Sequence, residues 1–388
     1  MDKPLIPKQE FPIFRNNPTL TFLDSAASSQ KPSYVINAMG EFYSTTYANI
    51  HRGMYKLSEE STNLYEKARE KVAKLIGAKP SEIIFTKSAT ESLNLLAYVL
   101  DPESYAVSLM EHHSNFVPWQ QMAKRRNRPV SYIDIDDEGF FRELPKSSLY
   151  ALSAASNVLG TLNNIGALCR EIGDNGGISV IDATQAVPHD RFDVRENRCD
   201  FAVFSSHKML GPTGIGVLYA KEGILDNARP FLFGGDMIKS VGVEGTEFSA
   251  MPYKYEAGTP PIAEAIGLSA AIEILEKAGL ENIRKHEMEL TGYMINAIRD
   301  MENITYYGPR DPGKKAGVVA FTVKGMHAND VAYFLSNKNI AIRSGHHCAM
   351  PLHKRLNVTG TARASFYVYN EKADIDTLLD ALGKLNYR

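Results

Sequence analysis

The chain has 388 residues, 44% of them hydrophobic and 23% charged, with a formal net charge of −2. That is ordinary globular composition, enough for one large domain and a smaller one, and it creates no global positive field toward nucleic acid or anionic lipid. The longest apolar runs, such as LNLLAYVL at 93–100, are too short to cross a bilayer, and the opening MDKPLIPKQEFPIF lacks the apolar stretch of a secretory signal. Three cysteines, Cys169, Cys199 and Cys348, are widely spaced and odd in number, which gives no disulfide framework and fits a reducing compartment. The expectation is a cytoplasmic protein with neither membrane nor nucleic acid as partner.

From about residue 80 to 220, short apolar runs rich in β-formers end in small or polar residues. SEIIFTKSATES (81–92) carries Ile83, Ile84 and Phe85, then Ser88, Ala89 and Thr90; YAVSLMEHHSN (105–115) ends in Glu111, His112 and His113. A basic cluster, KRRNR at 124–128, reads as a solvated helix face. LYALSAASNVLG (149–160) ends in Ser156 and Asn157, ISVIDATQA (178–186) in Asp182 and Gln185, and DFAVFSSHKMLGPTG (200–214) in Ser205, His207 and Lys208. Helical stretches such as ESLNLLAYVL lie between several of these runs. The alternation predicts an α/β fold with a mostly parallel central sheet covered by helices. Ligands in such sheets bind outside the carboxyl ends of the strands, where this chain places its polar side chains.

The remainder reads differently. AEAIGLSAAIEILEKAGL (263–280) has the spacing of a long helix. AGVVAFTVKG, NIAIRSG and ARASFYVYN read as strands, interleaved with helices at HANDVAYFLSN and EKADIDTLLDALGKL. We expect a large domain over 21–265, a linking helix over 266–280, and a smaller α+β domain over 281–388 with residues 1–20 packed on it.

Lys208 follows a strand pattern and is either a surface lysine or one that forms a Schiff base with a carbonyl cofactor. Asp182 ends an apolar strand, where a lone carboxylate is costly without a cationic partner; the protonated pyridine nitrogen of pyridoxal 5′-phosphate is such a partner. SATES opens a helix with small hydroxyl residues, so free N–H groups and the helix dipole can hold a phosphate, although Thr90 is equally an ordinary cap. Ser205 and His207 supply further donors, and His112 or His113 can stack on a ring. GPTGIG (211–216) has the wrong spacing for a dinucleotide loop.

These segments closely resemble the class V aminotransferase family of pyridoxal-phosphate enzymes, and within it the group II (SufS-like) cysteine desulfurases. The resemblance runs nearly end to end, through FLDSAASSQKP (22–32), YANIHRGMYKLS (47–58), EHHSNFVPWQ (111–120), IDATQAVPHD (181–190), SSHKMLGPTGIGVLY (205–219), YEAGTPP (255–261), RSGHHCAMPLHKRL (343–356) and TARASFYVYN (361–370). It implies the fold type I of pyridoxal-phosphate transferases and a homodimer. It implies that Lys208 carries the cofactor, that Asp182 pairs with the pyridine nitrogen, and that Asn157 and Gln185 bond the ring hydroxyl. His112 would stack on the ring and assist proton transfer. Ala89, Thr90, Ser205 and His207 would hold the phosphate, joined by Thr259 of the other subunit. Arg363 would clamp the substrate carboxylate, with His51, Arg52 and Arg343 at the entrance. Ser88 and Ser206 stand where the family usually has glycine.

RSGHHCAM (343–350) leaves Cys348 to be explained. Adjacent residues rarely aim both side chains at one ion, and no second paired arm accompanies His346, His347, Cys348 and His353, so we read no metal site. Histidines and an arginine beside a loop cysteine are the surroundings of a reactive thiol. With the resemblance, this implies that L-cysteine is converted to L-alanine, that Cys348 takes the sulfur as a persulfide, and that an acceptor or iron-sulfur scaffold protein receives it. The nearest alternative in the same family is a selenocysteine lyase or cysteine sulfinate desulfinase.

Overall fold

A computed structural model describes residues 3–385; residues 1–2 and 386–388 of the expected small domain lie outside the described residues. The first strand, β1 (Thr21–Phe22), stands apart from the main sheet. That sheet comprises β2 (Ile83–Thr86), β3 (Tyr105–Ser108), β4 (Val130–Ile133), β5 (Leu149–Ser153), β6 (Ile178–Asp182), β7 (Phe201–Ser205) and β8 (Gly216–Ala220), in the order β2-β8-β7-β6-β5-β3-β4. Only β8 runs against the others, being antiparallel to both its neighbours. The remaining six strands therefore deliver their carboxyl ends to one edge.

Strand residues alternate between two cores, as a period of two requires. Ile83, Phe85, Leu152, Ile181 and Phe204 face one side with Tyr65 and Val72 of the helix Lys56–Leu75 and Leu268 and Ile272 of the helix Ile262–Ala278. Ile84, Val107, Ala151, Val180 and Val203 face the other, with Leu93 and Leu96 of the helix Ala89–Val99 and Trp119 of the helix His113–Arg126. Burial on both faces is why these strands read as continuous apolar runs rather than alternating ones.

The C-terminal part forms a four-stranded antiparallel sheet ordered Ile304–Tyr307, Val318–Val323, Thr361–Ser365, Arg343–Gly345. Its core includes Leu290, Phe321, Leu335 and Leu378. The expected linking helix is Ile262–Ala278; Gly279, at φ 80°, ends it with a turn that a side chain would resist, and a second helix, Leu280–Arg299, follows. The N-terminal segment packs here: the Ile6 N–H donates to the Val368 carbonyl at 2.8 Å, and Phe11 meets Tyr369 edge-on. Packing continues past the expected border at residue 20, since β1 pairs with Ile340–Ala341 and Leu23 joins the core of the C-terminal sheet.

The basic cluster is only half a solvated face. Lys124 and Arg125 are exposed. Arg126 instead donates to the carbonyls of Ala97 (3.2 Å) and Tyr98 (2.8 Å), covering the end of the helix Ala89–Val99, and Arg128 pairs with Glu103.

One buried ionic network ties β2 to its helices. Arg69 donates to the Ile83 carbonyl at 2.8 Å and to both Glu256 oxygens at 2.7 and 2.9 Å. Glu256 also accepts from the Phe85 N–H (2.7 Å) and the Tyr65 hydroxyl (3.0 Å). Removing one partner strands a buried charge, so Arg69→Leu should cost about 3–5 kcal/mol in denaturant unfolding, and adding Glu256→Leu should recover part of that loss.

Candidate active site

The carboxyl ends of β2, β3, β5, β6 and β7 converge on a cavity of about 210 Å³. A short 3₁₀ turn, Ser206–Lys208, follows β7 and brings Lys208 into its lining. The N-terminal segment holds that turn by one carbonyl. His207 O accepts from Ser29 N (3.1 Å), Ser28 Oγ (3.1 Å), Ser29 Oγ (3.2 Å) and Lys31 Nζ (2.7 Å). Withdrawal from water, aided by Arg363 and Arg343 and opposed by Asp182 and Cys348, lowers the Lys208 pKa to about 8.

Asp182, buried at the end of β6, accepts from the Thr184 N–H at 3.0 Å. Two buried polar atoms beside it, Thr184 Oγ1 and Gln185 Oε1, have no hydrogen-bond partner among the described residues, and both side chains line the cavity. Gln185 Nε2 donates to Ala26 O at 2.7 Å. His112 caps the helix His113–Arg126, its Nδ1 accepting from Ser114 N at 3.1 Å. That bond places the ring proton on Nε2. Burial, then the Lys208 charge, lowers the His112 pKa to about 4 and keeps the ring neutral.

The opposite end of the cavity suits an anion. Ala89 and Thr90 open an 11-residue helix whose positive dipole end faces it. Ser205 Oγ accepts from the Ala89 N–H at 2.8 Å, while Thr90 Oγ1 and Ser114 Oγ lie 2.8 Å apart. Ser88 caps this helix by accepting from Glu91 N at 3.2 Å, so a hydroxyl replaces what glycine would leave open. His207 completes the lining, its pKa lowered to about 4 by burial and by Lys208 and Lys31.

Arg363 enters from the second sheet. Its Nη1 donates to Asn157 O at 2.8 Å and its Nη2 to Asp24 Oδ1 at 2.9 Å, while buried Nε has no partner among the described residues. A fixed guanidinium with a donor to spare suits a carboxylate. Cys348 lies in the turn between Arg343–Gly345 and the helix Met350–Arg355. The thiol is half-buried; His347, one residue earlier, lines the cavity. Asn157 Nδ2 donates to His347 O at 2.7 Å, tying this turn to the end of β5.

Most of the expected site residues thus meet in one cavity: Ala89, Thr90, His112, Asn157, Asp182, Gln185, Ser205, His207, Lys208, Arg343 and Arg363. Four do not line it within the chain: Cys348 stands beside it, next to His347, which does line it, and the other three lie elsewhere. His51 pairs with Glu66 at 3.0 Å, Arg52 with Asp236 at 2.9 Å, and Thr259 is exposed. Unforeseen members are Ser114, Ser153, Thr184 and His347 in the lining, with Asp24 behind Arg363. EHH also hid a role for its first residue. Buried Glu111 accepts from Ser153 Oγ (2.5 Å), Ser153 N (2.9 Å) and Asn115 Nδ2 (2.6 Å), and burial raises its pKa to about 8.

Residues 21–378 match the family model described as aminotransferase class-V, and the chain belongs to that family. A relative from Halalkalibacterium halodurans, described as a "probable cysteine desulfurase", is 43% identical over 97% of this chain and 96% of its own length. One from Streptomyces coelicolor with the same description is 41% identical over 97% and 95%. Among solved structures, the apo cysteine desulfurase of Thermococcus onnurineus NA1 superposes with a TM-score of 0.94 at 39% identity, covering 97% of this chain and 96% of that one. The cysteine desulfurase CsdA of Escherichia coli, in an S-sulfonic acid form, gives 0.89 at 34% identity, covering 97% and 96%.

The family works with pyridoxal 5′-phosphate, and the cavity fits that group. It offers an amine, a buried carboxylate, unpaired polar atoms around a ring-sized space and a helix N-terminus for phosphate. Gly216 of β8 permits the last of these, because a Cβ there would lie 2.4 Å from the Ser88 carbonyl carbon and 2.8 Å from the Ala89 nitrogen. Gly216→Ala must push the Ser88–Ala89 turn aside, at about 1–3 kcal/mol. Cofactor titration followed by visible absorption should show at least tenfold weaker binding in a protein that still folds.

Proposed function

We propose that this chain is a cysteine desulfurase in which Lys208 activates L-cysteine and Cys348 removes its sulfur. The observation that carries the reading is the joint placement of Lys208 and the Cys348 turn at one cavity, near enough for Cys348 to bear on the charge of both Lys208 and Arg363.

Bound pyridoxal phosphate supplies an aldehyde that condenses with amino groups and a ring that accepts electrons released at the substrate Cα. Asp182 would hold the proton on the ring nitrogen, and Asn157 and Gln185 would bond the ring hydroxyl. Ala89, Thr90, Ser205 and His207 would hold the phosphate. Arg363 orients the substrate carboxylate, with Arg343 beside it. Lys208, once its amine is free, moves the Cα proton. Neutral His112 covers the ring and offers its Nε2 proton. The Cys348 thiolate attacks the substrate sulfur: an S–S bond forms, the Cβ–S bond breaks, and the electron pair returns to carbon. Protonation at Cβ, and return of a proton to Cα by Lys208, gives L-alanine, and Cys348 is left as a persulfide. A sulfur-acceptor or iron-sulfur scaffold protein then takes the terminal sulfur by thiol exchange.

A homodimer completes the entrance in this reading. Exposed Met54 and Tyr55 adjoin His51 and Arg52, and exposed Phe233 lies close in sequence to Asp236, the partner of Arg52. Apolar surface of this kind is covered in most soluble proteins. Against a second copy it would bring His51, Arg52 and Thr259 to the neighbouring cavity. The sulfur role of Cys348 requires a thiol, and the other two cysteines are free and buried, which suits a cytoplasmic setting. Among the described residues no helix is long and apolar enough to cross a membrane.

Two measurements test the assignment. Cys348→Ser should keep the visible absorption of the bound cofactor yet lose about a thousandfold in alanine formation from L-cysteine; near-normal turnover would remove Cys348 from the mechanism. Lys208 titrates near 8 rather than at the usual 10.5 because burial penalises the ammonium, so the reactive neutral amine dominates above that pH. Cofactor capture by apoprotein should therefore speed up as pH rises toward 8 and level off above it, whereas an ordinary lysine would keep gaining to beyond 10.

A further inference from the structure

The turn that carries Cys348 is held in shape from outside itself. His347 and Cys348 both have φ in the left-handed region, 48° and 58°. Residues with a Cβ seldom adopt that conformation singly, and two in a row need external bonds to hold them. Asn157 supplies one of these bonds, to His347 O. His113 supplies two. Its backbone N–H donates to Cys348 O at 2.6 Å, and its ring Nε2 accepts from Met350 N at 3.1 Å. Both bonds fasten the chain on the C-terminal side of the cysteine, one at its own carbonyl and one two residues beyond it.

His113 has no part in the chemistry described above. It is absent from the lining, where His112 stands. The ring bond also specifies a state of the imidazole: Nε2 can accept only when it carries no proton. Burial, followed by the His346 charge, lowers the His113 pKa and favours that neutral state.

We infer that His113 is a positioning residue for the sulfur-transfer step, fixing the Cys348 turn so that the thiol meets the substrate sulfur. This rests on the reading that Cys348 takes the sulfur. On that reading His113 acts after proton removal at Cα, and its loss should separate the two halves of the reaction.

The test uses holoenzyme with L-cysteine and no acceptor. Persulfide on Cys348 is followed by mass spectrometry after rapid quenching. Exchange of the Cα proton of L-alanine in deuterated water, which needs Lys208 but not Cys348, is followed in parallel. His113→Leu, which cannot accept from Met350 N, should slow persulfide formation about five- to tenfold, with exchange and visible absorption unchanged. His113→Gln places an amide oxygen at similar reach and should recover most of the rate. Should His113→Leu fail to fold, His113→Asn, one atom too short, takes its place. A wild-type persulfide rate in His113→Leu overturns the inference. So does a parallel fall in Cα exchange, or a His113→Gln variant as slow as His113→Leu. If the wild-type protein itself forms no persulfide, the parent reading of Cys348 falls, and the inference with it.

Discussion

A lysine at a strand end keeps its proton unless its surroundings make the ammonium costly. Around Lys208, burial, Arg363 and Arg343 do so, against the pull of Asp182. The rest of the geometry is arranged to maintain that balance. Six strands ending at one edge bring the lysine, the aspartate and the anion-holding helix to a common cavity, while β8 runs against them and offers Gly216 where the helix turn needs room. Ser28, Ser29 and Lys31 then fasten the carbonyl before Lys208 from a segment far away in sequence.

A second consequence is electrostatic. Cations crowd this cavity, and withdrawal from water discourages any more of them. His112 and His207 fall to about 4 and His347 to about 2, each with burial as the first cause. Neutral imidazoles can donate at one nitrogen and accept at the other, which is how they orient a ring or cap a helix. The fixed positive charge is left to arginine, which stays protonated. A cavity of that character favours anions such as a phosphate and an amino-acid carboxylate.

Much of this was legible in the residues. Short apolar strands ending in SATES, EHH, SN, DATQ and SSHK marked both the sheet and its functional edge, because burial on both faces leaves no alternation to obscure the strand ends. Lys208 and Asp182 stood out because each is costly where it lies. What could not be read was any pairing across the chain. Asp24 lies 339 positions from Arg363, and no periodicity links them. His113 looked interchangeable with His112, since only the helix start decides which ring turns toward the cavity. His51, Arg52 and Thr259 carried motif resemblance but no local signal of which cavity they serve, and within the chain they serve another purpose or none.

If Cys348 takes the sulfur as proposed, its turn sets a limit on how that sulfur would leave. Residues 346–349 alone separate the strand Arg343–Gly345 from the helix Met350–Arg355. Four residues, even fully extended, span only about 14 Å, and both ends of this turn are anchored in regular structure. Its carbonyls are engaged by Asn157 and His113, and its first histidine packs edge-on against His353. On the proposed reading, a thiol on so short and well-fastened a tether would not carry sulfur to a distant site by swinging outward, and the acceptor would bring its own nucleophile to the cysteine. Selectivity for the acceptor would then reside in the surface around that turn, where exposed Met350 lies two residues from the cysteine.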